Sequence, residues 1–385
     1  MSEVLALRHK TFLSTNFAKE RRNGTAFAGK IILSRINMKR RLLSAFLAVM
    51  MVLTMAPMAF AADTEPTTEP TTEYVAQVDG NNYATIADAI AAANNKTLTL
   101  LKDVNGQIVI PEGKKITLDL NGHAISNSRT AVLNNGNLTI CDSSEKKSGV
   151  IKSTGNVGIG VGDNSYTTIE YANIQSQEGA VITSYSTGAT IIIKDGVFSV
   201  ADNSVVAGNG SKRDGNANVI TINGGTFIGN IQSSGFIACG IYAPWKDIIT
   251  VNGGNFTVNN GIGIVARAGQ VTVNGGTFTC TGSAKGGVGD KKFDMDAAQC
   301  VYFDASNPAY SAYNSATDYI KLQGGTFSSD VSKYCEKNYY TEQNEDNTYT
   351  VKSLKDVAVA QIGDTYYKTL AEAVSAANNN NCYPA

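Results

Sequence analysis

Two acidic residues in a long insertion are the main candidates for chemistry in this sequence. Asp294 and Asp296 stand two positions apart within residues 283–304, a segment that lengthens one unit of a repeat. Neighbouring carboxylates could hold a Ca²⁺ ion or serve as the acid and base of glycoside cleavage. An Asp-x-Asp pattern is also typical of a solvated surface loop, so both interpretations stay open.

Two aromatic residues of another long unit could contact carbohydrate. Tyr242 and Trp245 are three positions apart, and Trp245 is the single tryptophan of the chain. Exposed aromatic rings offer flat apolar faces on which sugars stack, and loops often carry binding residues. The alternative is that Trp245 packs over a loop and contacts no ligand.

Several kinds of catalysis are disfavoured by the residue types that are missing. After residue 61 the sequence holds one histidine, His123, and three separated arginines, Arg129, Arg213 and Arg267. A serine or cysteine nucleophile needs a histidine partner, and we interpret His123 as a structural residue of an alternating strand. No two cysteines have the CxxC spacing of a zinc or redox site.

A tetrapeptide repeat predicts the architecture that must position these residues. Gly-Gly-Thr-Phe, once Gly-Gly-Asn-Phe, occurs four times, each time after an alternating apolar segment. A short strand, a glycine turn and a second strand at a recurring period are typical of a stacked solenoid. With their preceding strands, the four copies span residues 220–227, 249–256, 271–278 and 320–327.

The apolar residue that follows each turn marks the successive coils of this solenoid. The first seven markers are 22 to 29 residues apart, whereas the last interval is 49 residues, which we interpret as about two coils. Three short strands per period predict an all-β fold, a right-handed single-stranded parallel β-helix with equivalent residues stacked about 4.8 Å apart. The markers are Ile125, Ile151, Ile174, Phe198, Phe227, Phe256, Phe278 and Phe327.

The repeat also predicts which side chains point inward. Period-2 alternation places Ile220 and Ile222 inside the coil and Thr221 outside. The phenylalanines of the four copies should form an inward stack of rings. The Asn-Gly pair at the corner should supply the positive φ of a sharp turn.

Two similar stretches predict one complete module and the start of another. Residues 85–94 have apolar positions at i, i+3, i+4 and i+7, which predicts a short N-terminal helix that caps the first coil. Residues 359–379 align without gaps on residues 75–95, with 11 of 21 identical. We therefore expect a β-helix module over 75–355 and the truncated start of a second module over 356–385.

The N-terminal residues predict export. Residues 38–61 combine a basic start, an apolar run and a small-x-small ending, as in a cleaved signal peptide. An uncleaved membrane anchor is the alternative. Residues 1–37 form an unassigned extension that fits a misassigned start site, and residues 62–74 form a Thr/Pro/Glu-rich linker. We expect a bacterial protein that is secreted or displayed at the cell surface.

Cleavage after residue 61 would make the chain acidic. Residues 1–61 hold 10 of the 32 Lys and Arg and 2 of the 33 Asp and Glu, which leaves 22 basic and 31 acidic residues and a formal net charge of −9. Nucleic-acid binding needs clustered Lys and Arg that contact phosphates. We therefore expect no nucleic-acid partner.

The six cysteines all follow the predicted cleavage site. Export permits disulfides, and a bond between Cys280 and Cys300 would close the long insertion. Buried free thiols on the inner faces of strands are the alternative, and the sequence does not determine a pairing. The six are Cys141, Cys239, Cys280, Cys300, Cys335 and Cys382.

The segment Thr117–Ser126, the capping segment and the Val-Asn-Gly-Gly-Thr-Phe coils resemble the pectate-lyase-like parallel β-helix repeats of secreted and cell-surface proteins of gut Firmicutes. The resemblance covers residues 75–355 and implies the fold. It implies little about activity, because this superfamily includes polysaccharide lyases, hydrolases and noncatalytic surface proteins. After residue 61 the chain lacks the Arg-x-Pro-x-x-Arg arrangement of the lyases and the Asn-Thr-Asp, Asp-Asp, Gly-His-Gly and Arg-x-Lys motifs of polygalacturonases.

We expect a noncatalytic exported β-helix protein that serves in adhesion, in glycan contact or as a spacer. The alternative is a carbohydrate-active enzyme, a polysaccharide lyase or glycoside hydrolase, with its carboxylates at Asp294 and Asp296. The expected partners are extracellular or cell-wall glycans. We expect no cofactor other than the Ca²⁺ ion considered above, and a membrane contact only through residues 38–61 if these are not cleaved.

Overall fold

The computed structural model describes residues 73–183, 186–208, 215–230, 235, 237–245, 247–288, 291–304 and 316–379. The predicted extension 1–37, the signal peptide 38–61 and nearly all of the linker 62–74 lie outside the described residues, as do Arg213 and Cys382. Within the described residues, no helix is long and apolar enough to cross a bilayer.

The described chain is an all-β fold in which each coil gives one strand to each of three sheets, here called sheets 1, 2 and 3. The parallel strands of sheet 1 are Lys96–Leu100, Lys115–Asp119, Asn137–Cys141, Tyr166–Ile169, Thr190–Ile193, Val219–Ile222, Ile248–Val251, Gln270–Val273 and Ile320–Leu322. Those of sheet 2 are Val104–Asn105, Ala124–Asn127, Val150–Ser153, Ala172–Ser176, Gly196–Val200, Thr226–Asn230, Asn255–Asn259, Thr277–Thr281 and Thr326–Phe327. Those of sheet 3 are Ile108–Ile110, Val132–Asn134, Val157–Val161, Gly179–Ile182, Ser204–Ala207, Ala238–Ala243, Gly261–Ala266 and Gln299–Phe303. This arrangement confirms the predicted parallel β-helix.

The core consists of inward side chains that stack in register from coil to coil. The predicted marker residues form one continuous row of sheet 2 that runs from Ile125 to Phe327. Five of them are buried phenylalanines whose ring centroids are 4.4 to 5.1 Å apart, with interplanar angles of 3° to 8°. The predicted inward ring stack is therefore confirmed, at the spacing that neighbouring strands impose.

The last interval of 49 residues is one coil, and its interpretation as two coils is wrong. Phe278 pairs directly with Phe327, so their coils are neighbours. The extra residues include an antiparallel hairpin, Ala284–Val288 with Lys291–Met295, and a short helix, Ala316–Tyr319. An insertion between two strands lengthens the chain without changing the strand register, so sequence spacing could not distinguish the two cases.

The two glycines of each corner have different roles, and the positive φ that was predicted for the Asn-Gly pair lies at the glycine after that pair. Positive φ lies at the second glycine, with +107° at Gly225 and +99° at Gly325. At the first glycine, space is limiting: a Cβ at Gly324 would lie 2.2 Å from the carbonyl oxygen of Asn274 in the preceding coil. The corner needs one glycine for its conformation and one for close backbone approach.

The N-terminal end of the coil stack carries a short helix. Ile86–Ala92 is helical, and Thr85 caps it by accepting a hydrogen bond from the amide of Asp88 at 3.1 Å. This helix buries Ala89 and Ile90. Its length differs from the expectation of 85–94, and the longer helix of the described residues lies near the C-terminal end instead.

Antiparallel strands flank the coils at both ends. Ala76–Val78 pairs with Asn81–Tyr83 and with the first strand of sheet 1. Tyr349–Ser353 pairs with Thr326–Phe327 and with Tyr339–Gln343. Short 3₁₀ helices lie at Ser332–Tyr334, before these two C-terminal strands, and at Leu354–Asp356, after them.

The residues of the predicted second module repeat the elements that begin the first. They form the hairpin Ala360–Ile362 with Thr365–Tyr367 and the helix Leu370–Asn379. Each of these elements starts 284 positions after its counterpart in the first module.

Candidate functional site

Sheet 3 differs from sheet 1 in the side chains that it presents outward. On the outside of sheet 1, the side chains that align from coil to coil are mostly threonines, such as Thr221, Thr250 and Thr272. An apolar row on the outside of a sheet marks a surface that another group covers or binds. In sheet 3 the aligned row is Val109, Leu133, Gly160, Ile182, Ala207, Tyr242, Val265 and Tyr302.

The hairpin Ala284–Met295 covers the C-terminal part of this apolar row. Phe293 is buried in a hydrophobic cluster that is separate from the core and includes Tyr242 and Val265. The rings of Phe293 and Tyr302 meet edge to face, with centroids 5.1 Å apart. The insertion is therefore a folded cover that packs on the outside of sheet 3.

Asp294 and Asp296 lie on the solvent side of this hairpin. Their side chains are 90% and 96% exposed, and the Nζ of Lys285 lies 3.8 Å from Asp294 Oδ1 and 2.7 Å from Asp296 Oδ1. The hydrogen bond and charge of Lys285 lower the pKa of Asp296. The described residues contain no group of three or more His, Cys, Asp and Glu that could hold a metal ion. The Ca²⁺ and catalytic roles of the two aspartates stay predictions.

A buried ionic cluster fixes the hairpin to the β-helix, and sequence reasoning missed it. Arg267 Nε lies 2.9 Å from Asp304 Oδ2, and Lys291 Nζ lies 3.4 Å from Asp304 Oδ1. Arg267 is 8% exposed and Asp304 2%. Burial opposes the charge of Lys291, but the nearby Asp304 and Tyr302 raise its pKa. Asp304 thus counters two cations, one from a coil and one from the hairpin.

Strand register contains the signal that could have revealed this cluster. Arg267 follows Ala266 and Asp304 follows Phe303, and these two strand ends are paired in register. Once the 49-residue interval is understood as one coil, opposite charges stand at equivalent corners of neighbouring coils. The alternation pattern alone does not contain that information.

Tyr242 and Trp245, the predicted carbohydrate contacts, lie at the edge of the covered surface. Tyr242 is buried in the cluster beneath the hairpin, and its hydroxyl is 3.4 Å from Arg267 Nη1. Trp245 is partly buried and packs against the core, and its backbone amide donates to Asp247 Oδ2 at 3.3 Å. Their role in binding carbohydrate stays a prediction.

Further toward the N-terminus, the outside of sheet 3 contains a groove of about 310 Å³, here called the sheet-3 groove. Leu133, Val157 and Gly160 contribute its apolar surface. A Cβ at Gly160 would contact Thr130 Cγ2 at 3.2 Å and Leu133 Cδ1 at 3.4 Å. Gly160 therefore forms part of the groove lining, and a side chain there would press on Thr130 and Leu133.

Polar groups line the rest of the sheet-3 groove. The hydroxyl of Ser186 donates to the carbonyl oxygen of Val161 at 2.8 Å, and Asp163 Oδ1 accepts from the amide of Thr187 at 2.8 Å. These bonds position the polar groups in advance of any ligand. Amide, hydroxyl and carboxylate groups together can both donate to and accept from sugar hydroxyls. The polar lining residues are Thr130, Asn135, Asn156, Asp163 and Ser186.

The sheet-3 groove was not predicted from the sequence, although two glycines inside one strand could have indicated it. The strand Val157–Val161 has glycines at 158 and 160. Glycine inside a strand often marks a place where backbone or a ligand approaches closely. Gly158 fits the first case, since a Cβ there would lie 2.3 Å from Ile174 Cγ2. Gly160 faces outward, which fits the close approach of a ligand.

The remaining candidates lie elsewhere. His123 Nδ1 is 3.4 Å from Asp103 Oδ1. Cys280 and Cys300 both contact Ser328 Oγ, the first through its amide at 2.8 Å and the second through its thiol at 3.3 Å. The hydrogen bond between these two thiols lowers the pKa of Cys300 to about 6 and raises that of Cys280. Both are free thiols in the structure.

Comparisons with protein-family models, with curated proteins and with solved structures found no match to this chain. Its function must therefore be argued from the geometry and chemistry of the described residues. The sheet-3 groove, with its apolar surface and polar lining, is the feature from which that argument starts.

Proposed function

We propose that this chain is a noncatalytic exported surface protein whose β-helix contacts glycans through the sheet-3 groove. The carrying observation is the combination of an apolar surface at Leu133, Val157 and Gly160 with polar groups around it. A pyranose ring likewise has both apolar and polar surface, with C–H groups on its faces and hydroxyls at its edge. A volume of about 310 Å³ is near the lower end for ligand sites and suits one or two sugar units.

The charge of the groove favours a neutral glycan. Among the described residues that line it, Asp163 is the ionisable one. A uronate would bring its carboxylate near that of Asp163, and like charges repel in a partly desolvated site. The proposed ligand is therefore a neutral hexose-containing glycan, and pectin-like polymers should bind less well.

The noncatalytic part of the proposal is supported by how the ionisable groups are arranged. Glycoside hydrolysis uses two carboxyl groups that flank the scissile bond, and the described residues of the groove lining contribute one, Asp163. A lyase needs a base beside the uronate, and Arg267 is buried against Asp304. The alternative, a polysaccharide lyase or glycoside hydrolase that acts at Asp294 and Asp296, has less support because Lys285 pairs with both in open solvent.

The surface location rests on the sequence. Residues 38–61 have the composition of a signal peptide, and the coils resemble pectate-lyase-like repeats of secreted and cell-surface proteins of gut Firmicutes. In such a protein the β-helix would serve in adhesion or as a spacer that presents the groove.

A glycan array with one groove variant and one matched control tests the proposal. Gly160→Leu places a side chain in the groove, while Thr250→Leu adds the same apolar group to the outside of sheet 1. We expect binding to neutral glycans, at least tenfold weaker binding for Gly160→Leu, and unchanged binding for Thr250→Leu. Equal binding by all three proteins would contradict the groove assignment.

Turnover is measured separately by incubating the purified chain with pectin and with neutral wall polysaccharides. The proposal predicts no release of reducing or unsaturated ends. Release of either would establish the enzymatic alternative. If the Asp294→Asn/Asp296→Asn double variant then retained the activity, those two aspartates would not be its catalytic residues.

A further inference from the structure

The helix Leu370–Asn379, together with Val359 just before the strand Ala360–Ile362, leaves large apolar side chains in solvent. Val359 is 59% exposed, Leu370 66% and Val374 58%. We call these three residues the second-cap face. Three large apolar side chains that are exposed within residues 359–374 indicate a contact that is not made within the described chain.

In the first module, the similar cap has its apolar side chains covered. The counterparts of Leu370 and Val374 are Ile86 and Ile90, 284 positions earlier. Ile90 is only 8% exposed, and Ile86 packs against the core. The two strands and the start of the helix also repeat at this offset, although the second helix is three residues longer, so the two caps share their local structure and differ in what covers them.

The cover in the first module is the first coil of the β-helix. Strand Lys96–Leu100 pairs antiparallel with Ala76–Val78, with Ala76 opposite Leu100 and Val78 opposite Leu98. Leu98 and Leu100 point into the core. In the second cap, Ala360–Ile362 pairs with Thr365–Tyr367 in a sheet of two strands within the described residues. Its other edge corresponds to the one that Lys96–Leu100 occupies.

The second cap is also fixed to the end of the first module. Asn338 Nδ2 donates to the carbonyl oxygen of Asp364 at 2.6 Å, and Asn338 Oδ1 accepts from the amide of Tyr366 at 3.1 Å. The ammonium of Lys368 lies over the ring of Tyr340, 3.0 Å from its centroid. One side chain thus holds the hairpin at its turn, while the second-cap face stays exposed.

We propose that the second-cap face and the open edge of Ala360–Ile362 form a docking site for the first coil of a second β-helix module. The partner strand has the alternating pattern of Lys96–Leu100, lies antiparallel to Ala360–Ile362 and places two apolar side chains over Leu370 and Val374. The site continues the solenoid from one module to the next, and it is independent of the glycan proposal.

The test is a chain in which the full sequence carries a second copy of its own residues 96–355 between Asn379 and Asn380. Hydrogen exchange of the amides from Val359 to Ala377 is compared in this extended chain and in the parent chain. The matched control is the extended chain with Leu370→Glu and Val374→Glu, two changes that leave the unfolding midpoint of the parent unchanged because both side chains are exposed there. Circular dichroism reports whether the inserted coils fold.

We expect exchange of these amides to be at least tenfold slower in the extended chain than in the parent, and this protection to be lost in the double variant. Unchanged exchange with folded inserted coils would overturn the proposal, and so would inserted coils that fail to fold on an intact second cap. Self-association of the parent that the double variant abolishes would assign the face to a second copy of the chain instead, and would also overturn it.

Discussion

Replacing Phe256 with leucine should measure how much the ring stack stabilises this solenoid. Phe256 lies between Phe227 and Phe278, with ring centroids 4.4 and 4.5 Å away and interplanar angles of 8° and 3°. Leucine keeps a buried apolar side chain at this position and removes both ring contacts. The variant therefore separates stacking from simple burial.

The expected loss follows from the number of ring neighbours. An aromatic pair contributes about 0.5–1.5 kcal/mol beyond the area that it buries, so Phe256→Leu should lower the free energy of unfolding by about 1–3 kcal/mol from two pairs. Phe198 has one ring neighbour, Phe227 at 4.8 Å, and its other neighbour in the row is Ile174. Phe198→Leu should therefore lose about half as much.

Urea unfolding followed by circular dichroism measures both variants, and the dependence of the unfolding free energy on urea should stay the same in each. The comparison between the two variants decides the question, because burial changes by the same amount at both positions. Equal destabilisation by Phe198→Leu and Phe256→Leu would refute the stacking argument. It would mean that the phenylalanines contribute only as buried apolar volume.

Two further predictions concern buried charges. Asp304→Asn removes the carboxylate that pairs with the buried Arg267. We therefore expect a loss of about 3–5 kcal/mol in the free energy of unfolding, measured by urea titration. Asp294→Asn, at an exposed position, is the control and should change this free energy little. For Asp142, burial opposes ionisation, but hydrogen bonds from Ser144, Gly149 and Gly122 outweigh it and lower the pKa below 3.8. The stability that this carboxylate contributes should be complete above about pH 5 and should be lost as the pH falls below 3.8, through the lowered pKa of the folded state. Urea midpoints measured from pH 6 to pH 3 should therefore show a smaller decline for Asp142→Asn.

The fold could be predicted because the repeated motif marks equivalent positions in successive coils and so indicates the strand register. Each coil places an apolar residue after its glycine corner, and these residues must stack, since a shift by one position would turn every inward side chain outward. Ile125 and Phe327 therefore belong to one row that was visible in the sequence. The cap was visible for a similar reason, because its helical spacing and its second copy at 359–379 agree.

The surface features could not be predicted in the same way, because they depend on where insertions return to the coil. The pairing of Arg267 with Asp304 and the position of the hairpin over Tyr242 both follow from the register of Phe278 with Phe327. Sequence length fits either one or two coils in that interval, and the two cases place the acidic residues on different surfaces. The sheet-3 groove includes Gly160 in its lining, and the outward direction of this residue follows only from the strand pairing. In a solenoid, repetition determines the core, and each departure from repetition has to be located in three dimensions before its chemistry can be interpreted.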